Sequence, residues 1–191
     1  MRPLIAIIIA LASALPLLAN NLLENSDFVD GINHWRGNGR APADFAPENP
    51  FDKADPFTSK GLILPLRGAD WDKIAQDFRA KGGQGVLSIT YMVSPGLTFS
   101  KKSEDYENIA DKLHDDEMYF FNTPPGQVVV FTFDSNNSDG RNYTFRPNLG
   151  KGQHTAKMHL YGLASLDDTT LAIGFPPGTG TVVILNISLT Q

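Results

Sequence analysis

Flat and fork-shaped side chains are the chemically suggestive residues of this sequence. Trp71 with Gln76 and Arg79, and Arg141 and Tyr143 with His159 and Tyr161, supply aromatic faces and planar polar groups. Aromatic faces stack on the apolar side of a polyhydroxylated ring, and Gln, Arg and His hydrogen-bond its hydroxyls. The same residues scattered over a solvated sheet face would need no explanation. Covalent chemistry has weaker support. Asp115, Asp116 and Glu117 are adjacent carboxylates, whereas cleaving a glycosidic bond needs two carboxyls facing each other across it, one with a raised pKa. His154 and His159 lack the spacing and the third ligand of a zinc site. Asp134 to Gly140 carries oxygen donors at Asp134, Asn136, Ser138 and Asp139. Its glycine is misplaced for a calcium loop and no acidic residue closes it, so a hairpin turn is expected. No nucleophile-elbow serine, His-Glu-x-x-His pair or phosphate-binding glycine loop is present. With no assembled acid, base or nucleophile, the sequence reads as a non-enzyme without cofactor or metal.

The elements that would position these residues are strands. Val86 to Val93 alternates, with Leu87, Ile89, Tyr91 and Val93 on one side and Ser88, Thr90 and Met92 on the other. That places Tyr91 in a core. In Thr155 to Tyr161, Ala156, Met158 and Leu160 should face inward, turning Lys157, His159 and Tyr161 outward. Further strands are expected at Gly61 to Leu66, Gln127 to Phe133, Asn142 to Arg146, Thr170 to Phe175 and Thr181 to Leu189, while Trp71 to Phe78 has a spacing that also fits a helix. Turn residues in SNNSDG and PPGTG separate several of them. Arg36 to Lys60 reads as a long surface loop. Glu104 to His114 carries Tyr106, Ile109, Ala110 and Leu113 at helical spacing, a short helix inside a Pro95 to Gly126 insertion. The pattern is that of an all-β antiparallel sandwich.

Arg2 followed by an apolar run from Leu4 to Leu18 and Ala19 reads as a signal peptide over residues 1–19. The run is about fifteen residues, shorter than the roughly twenty of a spanning helix, so no integral membrane segment is expected after cleavage. Ala14 is an alternative cleavage point. A secreted, periplasmic or cell-surface location follows, and the absence of cysteine fits a bacterial exported protein. Residues 20–191 have the length of one domain with its own core. The net charge of −5 and scattered Lys and Arg form no basic stripe, so nucleic acid is not an expected partner.

The opening NLLENSDFVDGINHW, with Asn21, Leu22, Asn25, Phe28, Gly31 and Trp35, and the closing Asn186, Ile187, Ser188 and Leu189 carry a family resemblance. They resemble the first and last strands of secreted carbohydrate-binding modules of the cellulase and xylanase accessory type, families 4, 9 and 22. The resemblance implies a galactose-binding-like β-jelly roll over residues 20–191 that binds a polysaccharide or glycan without transforming it. It implies a strand rather than a helix at Trp71 to Phe78, a ligand on the concave sheet or in the loops at one end, and a core position for Trp35, which leaves Trp71 as the better candidate. Where the family holds a structural calcium with acidic residues, this sequence has Val29 and Leu185, with Asp27 and Asp30 the remaining nearby carboxylates. Losing both acids removes the attraction for the ion, so apolar packing is expected to close that corner. The alternative is a structural domain of the cell envelope, or one that binds a cell-envelope protein partner, with the same fold and no sugar site.

Overall fold

The computed structural model describes residues 20–37, 61–66, 68, 71–100, 126–134, 137–163, 165 and 169–191. The expected leader over 1–19, the helix over 104–114 and the carboxylates at 115–117 lie outside them. Among the described residues no helix is long and apolar enough to cross a membrane.

Among the described residues, eleven strands follow in chain order: β1 (Arg36–Gly37), β2 (Leu62–Pro65), β3 (Asp72–Phe78), β4 (Gly83–Val93), β5 (Thr98–Phe99), β6 (Val128–Asp134), β7 (Asn137–Phe145), β8 (His154–Leu163), β9 (Thr169–Phe175), β10 (Gly178–Thr179) and β11 (Thr181–Thr190). They form a five-stranded sheet, β1-β3-β9-β6-β7, a four-stranded sheet, β2-β11-β4-β8, and a small β10-β5 pair. Every pairing is antiparallel. Successive long strands alternate repeatedly between the two large sheets, so distant parts of the chain meet in one core.

Period-two alternation builds that core. Leu87, Ile89, Tyr91 and Val93 of β4, with Leu62 and Leu64 of β2, face Ile74 and Phe78 of β3, Leu171, Ile173 and Phe175 of β9, and Val128 and Val130 of β6. The expected hairpin is present but tighter than Asp134 to Gly140: Asn137 to Gly140 already belong to β7, and β6 and β7 pair down to Asp134 opposite Asn137. Along β11 the alternation breaks. Val182 and Ile184 point inward, then Ile187 and Leu189 do, because a register shift between Ile184 and Asn186 leaves Leu185 as an extra residue. One inserted residue reverses the facing of everything after it. Leu185 thereby packs on the outer face with Ile63, Val183 and Met92.

The opening segment differs from the strand expected there. Only Asn21 forms a bridge, to Thr190, and turns follow through to His34. The Asn21 side chain accepts from the Leu189 amide at 2.9 Å, and Ile187 donates to the Ser26 carbonyl at 2.8 Å, so the segment lies beside the end of β11. Asn25 organises the turns. Its amide nitrogen donates to the carbonyls of Gly31 (3.0 Å) and Asn33 (2.9 Å), and its side-chain oxygen accepts from Asp30 (3.1 Å). Asn25 has φ +43° and Phe28 φ +56°, left-handed values that Asn tolerates better than most residues. The result buries Phe28 against Trp35, ring centroids 5.4 Å apart, with Trp35 only 5% exposed. It also turns Val29 outward to 59% exposure, so Val29 does not provide the apolar closure expected of that corner.

An ion pair ties three strands of the five-stranded sheet. Arg36 of β1 grips Asp77 of β3 with two 2.7 Å hydrogen bonds, and the Thr170 hydroxyl of β9 donates to Asp77 at 2.5 Å. Partial burial pushes the Asp77 carboxyl up, but the bonds from Thr170 and Arg36 and the Arg36 charge outweigh it and hold it below the ordinary value. A carboxyl depressed by folding stabilises above its unfolded pKa and loses that contribution as pH falls through its folded one.

Two substitutions test these ties. Asn25→Ala removes three side-chain hydrogen bonds and puts alanine at a positive φ, costing about 2–3 kcal/mol in chemical denaturation. Asp77→Asn should lower stability by no more than about 1 kcal/mol at pH 7, because the pair is half exposed. The same variant should lose less stability than the parent between roughly pH 5 and pH 2, read from denaturation midpoints across that window.

Candidate functional site

Both long edges of the sandwich carry polar side chains that do structural and surface work at once. At one edge, β7 of the five-stranded sheet meets β8 of the four-stranded sheet. The Tyr143 hydroxyl of β7 donates to the Tyr161 carbonyl at 3.0 Å and accepts from the Tyr161 amide at 2.8 Å. A phenol can do both, so one side chain satisfies two backbone groups of an edge strand that would otherwise stay open to pairing. Beside it, Gly162 has φ +63°, and its open side is filled by the Arg141 guanidinium, which a Cβ there would meet at 2.6 Å. The register shift of β8 against Gly83 and Gln84 falls at this glycine.

The outward row of β8 is as its alternation requires. Lys157, His159 and Tyr161 face solvent, while Leu160 is buried and Ala156 and Met158 pack against the core. The His159 and Tyr161 rings are stacked, 25° from parallel with centroids 6.3 Å apart. Tyr161 is 48% exposed, and the neighbouring Val86 of β4, opposite His159 in register, is exposed too. His154 lies on the other face, its ring 5.8 Å from that of Tyr91 and its Nε2 2.8 Å from the Gly150 carbonyl, so the two histidines do not converge. Burial raises the Tyr91 hydroxyl pKa despite the hydrogen bond it accepts from Asn148.

The opposite edge holds Gln76. Its side chain is 3% exposed and sits on the core-facing side of β3 between Ile74 and Phe78. Its amide oxygen accepts from the Glu24 amide at 2.8 Å, and its nitrogen donates to the carbonyls of Glu24 (2.9 Å) and His34 (3.2 Å). Over it lies a cleft of about 160 Å³ lined by Glu24, His34, Arg36, Gln76 and Asp77. His34 Nδ1 is 2.6 Å from a Glu24 carboxylate oxygen. Glu24 and Asp77 are two carboxyls in one cleft, but Asp77 is held low by its partners, the reverse of what a general acid needs. Among the described residues no group of three or more His, Asp or Glu side chains is gathered to hold a metal.

The seven sequence-derived candidates therefore divide. Arg141, Tyr143, His159 and Tyr161 come together along the β7/β8 edge. Trp71, half-buried, precedes β3 and Arg79, exposed, follows it, while Gln76 lies inside near the opposite edge. On the outward face of the five-stranded sheet, Val129, Phe131 and Ala172 are buried, and none belongs to the two core clusters. Sequence reasoning missed Glu24, His34, Arg36 and Asp77. Their only sequence signal is a charged residue either side of the Asn25 to Trp35 motif.

No protein family matches this chain, and no curated protein does. Solved structures do resemble it. A family 61 carbohydrate-binding module solved with β-1,4-galactotriose superposes with a TM-score of 0.51 at 10% identity, covering 91% of this chain and 99% of that one. A family 16 carbohydrate-binding module gives 0.52 at 14% identity, covering 90% and 100%. The family 22 and catalytic modules of Clostridium thermocellum endo-1,4-β-D-xylanase 10B, solved with xylohexaose, give 0.51 at 12% identity, covering 91% of this chain and 29% of that one. This chain has the antiparallel β-sandwich fold found in these carbohydrate-binding modules.

Proposed function

We propose that this protein is an exported, non-catalytic module that binds a polysaccharide or other glycan on the outward row of β8. The observation that carries the proposal is the exposed, near-parallel His159–Tyr161 pair. Two flat rings on one strand face give a sugar chain successive apolar surfaces, and Lys157 in the same row adds a hydrogen-bond donor. The Tyr143 hydroxyl holds the Tyr161 backbone from both sides, so the backbone that carries the row is fixed before a ligand arrives. Arg141 over Gly162 contributes a guanidinium at the end of this row. The fold shared with carbohydrate-binding modules supports the same reading, as does the leader-like start of the sequence. The buried apolar centre of the other sheet's outward face favours β8 over the Trp71 side.

Binding to a glycan array and to insoluble polysaccharides tests this. Tyr161→Ala should weaken binding about tenfold, the worth of one lost stacking contact. His159→Ala should have a smaller effect in the same direction, and Trp71→Ala none. Loss of binding in Trp71→Ala with Tyr161→Ala unaffected would move the site to the five-stranded sheet. A folded protein that retains no glycan at all would favour a protein-interaction role in the cell envelope.

A further inference from the structure

We infer that the cleft between the opening segment and β3 is a second binding site, which takes a single terminal unit of a neutral polyhydroxylated ligand through its vicinal hydroxyls. Its ligand class rests on the carbohydrate reading above, but its residues and its edge of the sandwich are different. The floor is the Gln76 amide, whose three hydrogen bonds to Glu24 and His34 hold the cleft open and fixed. The walls are the Glu24–His34 and Arg36–Asp77 pairs, all four side chains about half exposed or more.

The walls offer both halves of what a diol requires. Arg36 uses two of its five N–H donors on Asp77, leaving others for a ligand. Each carboxylate oxygen has two lone pairs, and the contacts of Glu24 and Asp77 leave acceptor positions unused. A hydroxyl is donor and acceptor together, so adjacent hydroxyls can bridge a carboxylate and the guanidinium. Charge selects the ligand further, because Arg36 is matched by Asp77 and His34 by Glu24, so the cleft has no surplus positive charge to favour an anion. Size selects it again. At about 160 Å³ the cleft is smaller than the roughly 300 Å³ at which pockets for drug-sized ligands begin, so it suits one small unit rather than a chain. The lining has no Phe, Tyr or Trp, and its His34 imidazole is engaged with Glu24, so the cleft would grip a sugar mainly through its hydroxyls, unlike the stacking surface of β8.

The test is a titration of the protein with methyl β-galactopyranoside, methyl β-xylopyranoside and glucuronate, followed by backbone amide NMR. At least one neutral glycoside should shift the Glu24, His34 and Arg36 amides with a Kd of about 1–10 mM, the weak affinity of a single ring. Glu24→Ala removes a wall carboxylate while leaving the backbone groups that Gln76 binds, and should weaken those shifts at least about fivefold. Arg36→Lys, which keeps the charge and loses the fork, should weaken them too. Tyr161→Ala should leave them unchanged. Absence of these shifts up to about 100 mM glycoside would overturn the inference. So would tighter binding of glucuronate than of either glycoside, or indifference to Glu24→Ala. If the cleft responds while the β8 variants bind glycans normally, the β8 proposal fails and the cleft stands.

Discussion

A primary amide carries the same donor and acceptor as a peptide group, and the Gln76 side chain uses both as a neighbouring strand would. Buried on the core side of β3, it pairs with the backbone N–H and C=O of Glu24 and with the carbonyl of His34. Leaving such an amide unpaired in the interior would cost about 1–3 kcal/mol for each lost partner. The opening segment is therefore held where its Asn25-centred turns can place Phe28 and Trp35 over the core. Most other features of this edge follow from that placement, including the Arg36–Asp77–Thr170 tie and the cleft above the amide.

The opposite edge is governed by the same requirement met differently. An exposed edge strand invites unwanted pairing, and two sheets need something to join them where their strands end. Tyr143 does both by capping the Tyr161 backbone from across the gap. Because the seal is made to backbone, the side chains of β8 are free to face solvent, and two of them are adjacent rings. The proposed binding surface is thus a consequence of how this sandwich is closed, on a strand whose inward residues fix its register. Similarity to carbohydrate-binding modules at 10–14% identity establishes the shared fold and leaves the ligand to these local arguments.

Regular alternation made the middle of the chain readable. Leu87, Ile89, Tyr91 and Val93, and the inward and outward sets of β8, are placed as their period requires, because a strand with one buried face has one permitted register. The resemblance in the opening motif placed Trp35 correctly in the core, yet suggested a strand where Asn25 builds turns. Three left-handed non-glycine residues, Asn25, Phe28 and His34, and a web of side-chain bonds cannot be read from periodicity. The Leu185 bulge was hidden for a similar reason: Val183 and Leu185 are as apolar as their inward neighbours. Gln76 and Tyr143 were singled out for their polar groups, but only their cross-chain partners show what those groups bind. β1, β5 and β10 are two residues each, too short to carry a pattern.

The central claim is that glycan binds where His159 and Tyr161 stack. The most direct measurement is a crystal structure of the protein with an oligosaccharide chosen from its array profile. The account predicts pyranose rings lying over the Tyr161 and His159 faces, with Lys157 or Arg141 within hydrogen-bonding distance of hydroxyls. Sugar density confined to the Trp71 side of the five-stranded sheet, with the β8 row bare, would contradict it.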